Sequence, residues 1–252
     1  MELLFLGTGT SYGVPMIGCE CEVCTSADPR NKRTRASVLF QYEGHNVLVD
    51  TSIDLRFQFL AQGIRHLDAV LYTHGHADHL HGLDDLRAIS SRQGPLDLYA
   101  SAQTAAVITE SFRYIFEGDE AVSEIPAVRL HTLEGPFELF GETFWPIELE
   151  HGPLPILGYR VHDIAYLTDC SGIPNASLRM LGELKVLVID AVRFRPHPTH
   201  FSVDEALEVI DILEPERAYL THISHHLDHE TVSEMLPENV ELAYDGLRLT
   251  VA

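Results

Sequence analysis

Short apolar or β-branched runs recur along the chain at 3–6, 37–40, 46–49, 69–72, 97–99, 128–130, 144–149, 164–167, 186–189, 218–220 and 247–251. Their length and bounding polar residues predict β-strands. Helical spacing of apolar positions occupies 54–62, 83–90, 102–113, 177–181 and 203–213. The last of these follows Ser202, with Glu205 where a capping box needs it. Strands precede and follow helices in both halves, which predicts an α/β fold with two mixed β-sheets and helices outside them. Low-complexity segments, Pro/Gly-rich linkers and short-period repeats are absent, so the expectation is one domain over 1–252.

Composition narrows the function classes. With 45% apolar and 22% charged residues the chain can bury a large core. Seventeen basic residues against thirty-eight acidic ones give a formal charge of −21. That field repels a polyanion, so long nucleic acid is a poor expectation as substrate. No apolar run approaches the ~20 residues that cross a bilayer, and the start MELLFLGTGT lacks the basic segment and long apolar stretch of a secretory signal. A soluble cytoplasmic protein with no membrane partner is the default expectation.

The most informative segment is Ala69-Val-Leu-Tyr-Thr-His-Gly-His-Ala-Asp-His-Leu-His-Gly82. A buried strand runs into His74, His76, Asp78 and His79, and loops at strand C-termini are where α/β folds place their chemistry. Alternate residues of an extended segment point the same way, so His74 and His76 can grip one cation while Asp78 and His79, in the turn, reach a second. Imidazole and carboxylate donors suit zinc, iron and manganese. Four donors cannot complete two coordination shells. His151, Asp169 and His222, each at a predicted strand end, are the candidates for the remainder, although each alone is an ordinary loop residue.

The string THGHADH, a later histidine, a Thr-Asp at one strand end and a Thr-His at another resemble the metallo-β-lactamase superfamily. The resemblance spans essentially the whole chain and implies an αβ/βα four-layer sandwich. It implies His74, His76 and His151 on one metal, Asp78, His79 and His222 on a second, and Asp169 bridging both. It further implies that Asp50 orients ligands from behind.

LGTGTSYGVPMIGCECEVC at the N-terminus, LTDCSGIP around Asp169, THISHH at His222 and the terminal YDGLRLTVA resemble the PhnP-type phosphodiesterases more narrowly. In that family a structural zinc is held by a Cys-x-Cys-x-x-Cys loop and a histidine three residues after the metal-binding Thr-His, here Cys19, Cys21, Cys24 and His225. Three thiolates and an imidazole form a closed tetrahedral zinc site. His226 and His229 follow closely as alternative fourth ligands. Cys170 stands apart as a small buried side chain. The resemblance also gives His200 contact with the phosphate and proton donation to the leaving group, with His197 as the competing histidine. His45, His66, His81, His131 and His162 fit no ligand pattern.

The function this implies is hydrolysis of a small anionic phosphodiester, linear or cyclic, by a metal-bridging hydroxide, with two Mn2+ or Zn2+ ions in the active site and one structural Zn2+. Asp78 and Asp169 serve the metals and His200 the leaving group. A tRNA 3′-processing endonuclease, a lactamase or thioesterase, and a non-catalytic metal-binding accessory protein are the rivals. The endonuclease family carries a basic Gly/Pro-rich arm that this chain lacks. A homodimer is expected only from the general prevalence of two-fold assemblies.

Overall fold

The structure, a computed structural model, describes residues 1–117 and 124–251. Its first-half strands are β1 (Glu2–Gly7), β2 (Ser37–Tyr42), β3 (His45–Val49), β4 (Ala69–Leu71), β5 (Leu96–Ala100) and β6 (Val128–Thr132). Then follow β7 (Phe137–Leu139), β8 (Glu142–His151), β9 (Leu154–Val161), β10 (Ile164–Leu167), β11 (Val186–Asp190), β12 (Arg217–Thr221), β13 (Val240–Leu242) and β14 (Arg248–Thr250). The helices are α1 (Glu22–Thr25), α2 (Leu55–Gln62), α3 (Ala77–Leu80), α4 (Arg87–Gln93), α5 (Ala102–Ser111), α6 (Arg113–Phe116), α7 (Asn175–Leu178), α8 (Val203–Leu213) and α9 (His229–Ser233).

The strands form two seven-stranded sheets, in the orders β14-β1-β2-β3-β4-β5-β6 and β13-β12-β11-β10-β9-β8-β7. Both sheets are mixed. β3 to β6 run parallel, as do β10 to β13, while the remaining pairs are antiparallel.

The central strands of each sheet are buried on both faces, which is why they read as unbroken apolar runs, whereas β8 alternates buried and exposed positions. Alternation sorts the side chains. Leu3, Phe5, Val47 and Val49 of the first sheet meet Tyr159, Tyr166, Val186 and Val188 of the second in the layer between them. Leu4, Leu6, Leu48 and Val70 point outward against Leu55 and Phe59 of α2, Ile89 of α4 and Ile108 of α5. Leu187, Ile189 and Leu220 point outward against Val203, Ala206 and Ile210 of α8. The result is the αβ/βα sandwich. Among the described residues no helix is long and apolar enough to cross a membrane.

All eleven expected strands are present. The structure adds β7 and β13, three residues each, and β9. β9 contains Pro155 and Gly158, two residues that interrupt a strand pattern. Gly158 is required by close packing, since a Cβ there would lie 2.7 Å from a Leu167 methyl and 2.8 Å from the Tyr166 carbonyl. The expected helix 83–90 is instead a 3-10 turn, Leu83–Leu86, followed by α4, and the expected 102–113 breaks at Phe112 into α5 and α6. The expected helix 177–181 begins and ends earlier, as α7. The capping box of α8 is formed: the Ser202 hydroxyl accepts from Glu205 N at 3.3 Å and Ser202 N donates to the Glu205 carboxylate at 2.8 Å.

Phe144 is fully buried between the sheets, edge-on to Phe40 at 5.8 Å. Phe144→Ala is expected to cost about 3–5 kcal/mol of unfolding free energy, and Ser202→Ala about 1 kcal/mol, both read from urea denaturation midpoints at unchanged slope.

Candidate metal centre

The parallel strands of the two sheets end on one rim, and the candidate residues stand at those ends. Asp50 follows β3, the segment Thr73–His79 follows β4, Asp169 follows β10, Asp190 closes β11 and His222 follows β12. His151 is the last residue of β8. Asp50, Asp169 and His222 have φ of 66°, 58° and 56°. Non-glycine residues in this left-handed region each cost roughly 1 kcal/mol or more, and such strain gathers at functional sites.

The structure brings all seven sequence-predicted donors together. His74, His76 and His151 present ligand atoms within 4.8 Å of one another, as do His74, His79 and Asp169, and Asp78, Asp169 and His222. Asp169 belongs to two of these groups. Asp78 and His79 sit on α3 rather than in the turn before it, because the helix begins directly after His76, its N-cap. A helical turn aims them at Asp169: His79 Nε2 lies 3.3 Å from Asp78 Oδ2 and 3.1 Å from Asp169 Oδ2.

The ring orientations are set from behind. Asp50, fully buried, accepts from Thr73 N at 2.8 Å, from the Thr73 hydroxyl at 2.8 Å and from His79 Nδ1 at 2.7 Å. His74 Nδ1 donates to the same Thr73 hydroxyl at 2.9 Å, which leaves its Nε2 unprotonated, accepting from His76 Nδ1 at 2.9 Å. His151 Nδ1 donates to the Thr199 carbonyl at 2.7 Å. A nitrogen fixed as donor leaves the other with a lone pair facing the cluster, the arrangement that supports metal-binding histidines.

Electrostatics points the same way. Burial holds His74 well below the usual histidine pKa and brings His222 down to about 3, so both rings are neutral, as ligands must be. Burial also disfavours charge on His79, yet Asp169, Asp78 and Asp50 outweigh it and hold its pKa well above the usual value. Burial opposes ionisation of Asp169, but His222 and His79 outweigh it and hold that carboxyl well below its usual range. Asp78 and Asp169, both held below the usual carboxylate range, therefore demand positive charge at this point, while burial pushes the Asp50 carboxyl behind them up. A divalent cation fits that demand, and His79 Nε2 and His222 Nδ1 are buried nitrogens without a hydrogen-bond partner. Each lies 3.1 Å from Asp169 Oδ2.

His200 borders the cluster, its ring 4.7 Å from that of His151 and stacked at 4.8 Å on that of His222. His197 lies farther out, 4.9 Å beyond His200, with its Nδ1 near Thr199 N and hydroxyl. His200 Nδ1 donates to Asp190 Oδ2 at 3.1 Å, and that oxygen also accepts from Phe201 N. Burial opposes charge on His200, while Asp190 outweighs it and raises its pKa. Sequence reasoning missed Asp190, although its signal was present: an apolar strand closing on aspartate in VLVID, as at Asp50 and Asp169.

A second cluster holds Cys19, Cys21, Cys24 and His225, all within 4.8 Å of one another. Cys19 Sγ and Cys21 Sγ lie 3.3 and 3.4 Å from His225 Nδ1. The alternatives point elsewhere, His226 to the Ser224 hydroxyl at 3.1 Å and His229 to Arg33 at 3.0 Å. Hydrogen bonding from Cys24 N, ahead of burial, brings the Cys21 thiol down to about 6. Cys170 is fully buried and belongs to neither cluster. Of the five remaining histidines, His45 and His66 lie near Asp68, His131 near Asp97 and His162 near Glu142, while His81 packs edge-on to Phe112.

Known proteins are similar to this chain in sequence and fold. Residues 45–223 match the model of the β-lactamase superfamily domain. A crystallised diphosphatase of the PhnP family is 44% identical, covers 100% of this chain and 98% of its own, and superposes with a TM-score of 0.94. This chain belongs to the PhnP family of the β-lactamase superfamily. That membership supports metal-dependent hydrolytic chemistry. An octanoyltransferase of Porphyromonas gingivalis is 38% identical over the whole of this chain, which spans about half (52%) of that curated relative's length. Coenzyme PQQ synthesis protein B of a Methylobacterium species is 30% identical over 75% of the chain and 72% of its own length.

Removing the Asp50 carboxylate frees both Thr73 and His79. Asp50→Ala is expected to weaken metal binding roughly 10–100-fold, measured by competition with a chromophoric chelator.

Proposed function

We propose that this member of the PhnP family hydrolyses small anionic phosphodiesters, with His74, His76 and His151 holding one divalent cation, Asp78, His79 and His222 a second, and Asp169 between them. Bound there, Mn2+ or Zn2+ would supply Lewis-acid charge to the phosphoryl oxygens and acidify water for attack. The observation that carries the reading is the placement of His200 against His151 and His222 with its Nδ1 tied to Asp190. This fixes Nε2 as the atom turned toward the cluster. As the water oxygen bonds to phosphorus and the ester P–O bond breaks, His200 Nε2 gives its proton to the departing alkoxide. The Asp190 carboxyl, which burial pushes up to about 7, keeps the ring in that tautomer and, when ionised, stabilises its protonated form, as a carboxylate does for a general acid-base histidine.

The PhnP-family diphosphatase supports phosphoryl chemistry, and diphosphate esters are the nearest second substrate class, since they present the same charged phosphorus with a phosphate leaving group. Acyl substrates are the rival, for which the octanoyltransferase relative makes an octanoyl thioester the pertinent probe. Cys19, Cys21, Cys24 and His225 would hold a structural zinc, clipping the loop after β1 to the loop that carries His222. Such free thiols need a reducing compartment, which favours the cytoplasm.

Metal-loaded enzyme assayed with bis-p-nitrophenyl phosphate, a cyclic nucleotide, a diphosphate ester, a β-lactam and an octanoyl thioester is expected to turn over the first two best. Faster turnover of the thioester or lactam would refute the phosphodiesterase reading. His200→Ala is expected to lower kcat by about 10²–10⁴ on alkyl diesters and far less on p-nitrophenyl diesters, whose leaving group needs no proton. For the clip, elemental analysis of Cys21→Ala is expected to show one zinc fewer per chain than the unaltered protein, with the other metals retained.

A further inference from the structure

On the outer side of the first sheet α2 carries apolar side chains that no other described residue covers. Phe57 and Leu60 are 67% and 65% exposed, and their spacing of three residues sets them on one face of the helix, with Ile53, 41% exposed, in the turn just before it. Beside the stripe a groove of about 830 Å³ runs between α2 and α4, with Leu60, Ile64 and Ile89 among its apolar lining. An exposed stripe continuous with an apolar groove marks an interaction surface.

The charge around this groove is opposite to that of the molecule. The chain carries −21 overall, yet Arg56, Arg65, Arg87 and Arg92 line the groove against a single carboxylate, Asp85. Arg87 pairs with Asp84. Among the described residues Arg56, Arg65 and Arg92 have no carboxylate within ion-pair distance: Arg92 donates to the Arg65 carbonyl, and Arg56 lies 5.6 Å from the Phe57 ring. A two-fold contact with a second copy would stack these arginines on their own counterparts with little acid to answer them.

We infer that the α2–α4 groove docks an acidic amphipathic helix of a partner protein. The eight residues of α2 span about 12 Å, which matches two turns of a partner helix with apolar residues at i, i+3, i+4 and i+7. Glutamates and aspartates flanking that apolar face would meet Arg56, Arg65 and Arg92. The surface lies on segments that leave the metal centre directly, since α2 starts five residues after Asp50 and the 3-10 turn before α4 four residues after His79. The Thr51 hydroxyl donates to the Leu80 carbonyl at 2.9 Å and joins the two segments. The inference stands apart from which bond the centre cleaves.

The probe is a synthetic helix of about 15 residues with leucines at i, i+3, i+4 and i+7 and glutamates elsewhere, titrated into the full chain by fluorescence anisotropy. Saturable binding with Kd on the order of 10–100 µM is expected. It should weaken at least tenfold in Leu60→Asp and in the Arg56→Glu, Arg65→Glu double variant, and fall with added salt, as exposed charge pairs do. Equal melting temperatures establish that the variants fold; if charge reversal lowers them, Arg56→Gln with Arg65→Gln replaces it. Failure to bind, equal binding of the lysine-for-glutamate peptide, or binding indifferent to these variants would each overturn the inference. So would a dimer, seen by light scattering, that Leu60→Asp dissociates, which would give the groove to a second copy. Leu60-dependent adsorption to phosphatidylglycerol vesicles without peptide binding would give it to a membrane.

Discussion

The Asp50 carboxylate is the constraint on which the centre depends. A fully buried carboxylate is tolerated only when its lone pairs are answered, and this one is answered by Thr73 and His79. Both partners come from the segment after β4, so satisfying one buried charge fixes the start and the end of the histidine motif at once. Through the Thr73 hydroxyl the same charge also fixes the ring of His74. The motif is therefore pinned to the adjacent strand rather than free to sample the loop conformations that its glycine and alanine allow.

The second sheet is brought to the first by equally local means. The Tyr159 hydroxyl donates to the Tyr72 carbonyl at 2.7 Å, and Leu157 N donates to the Thr73 carbonyl at 3.0 Å. Both donors lie on β9, so the strand next to His151 and Asp169 is bonded directly to the residues preceding His74. Packing in the layer between the sheets sets their separation, and these two bonds set their register at the rim where the donors meet. A shift of one residue there would turn every side chain of β9 to the opposite face.

Net charge gives little guide to this chemistry. Screening confines exposed charge to about 8 Å at physiological salt, while the cluster around Asp169 is buried and unscreened. A chain of −21 can thus hold a locally cation-seeking centre bordered by His200 and His197, and an arginine-lined groove on another face.

The sequence by itself determined the class of fold and named the candidate donors. Strands buried on both faces leave continuous apolar runs, and His74, His76, Asp78 and His79 follow one another within six residues, so their kinship is written in their spacing. The capping box at Ser202 and Glu205 was legible for the same reason: the interaction is local. β9 was not, because Gly158 answers to the neighbouring strand β10 and cannot be told from a turn glycine without it. Only the tertiary structure decided that His151, Asp169 and His222 converge, that His225 rather than His226 or His229 joins the thiols, and that Asp190 stands behind His200. These are contacts between residues ten to more than two hundred positions apart, made by strand order and sheet packing, and no local pattern encodes them.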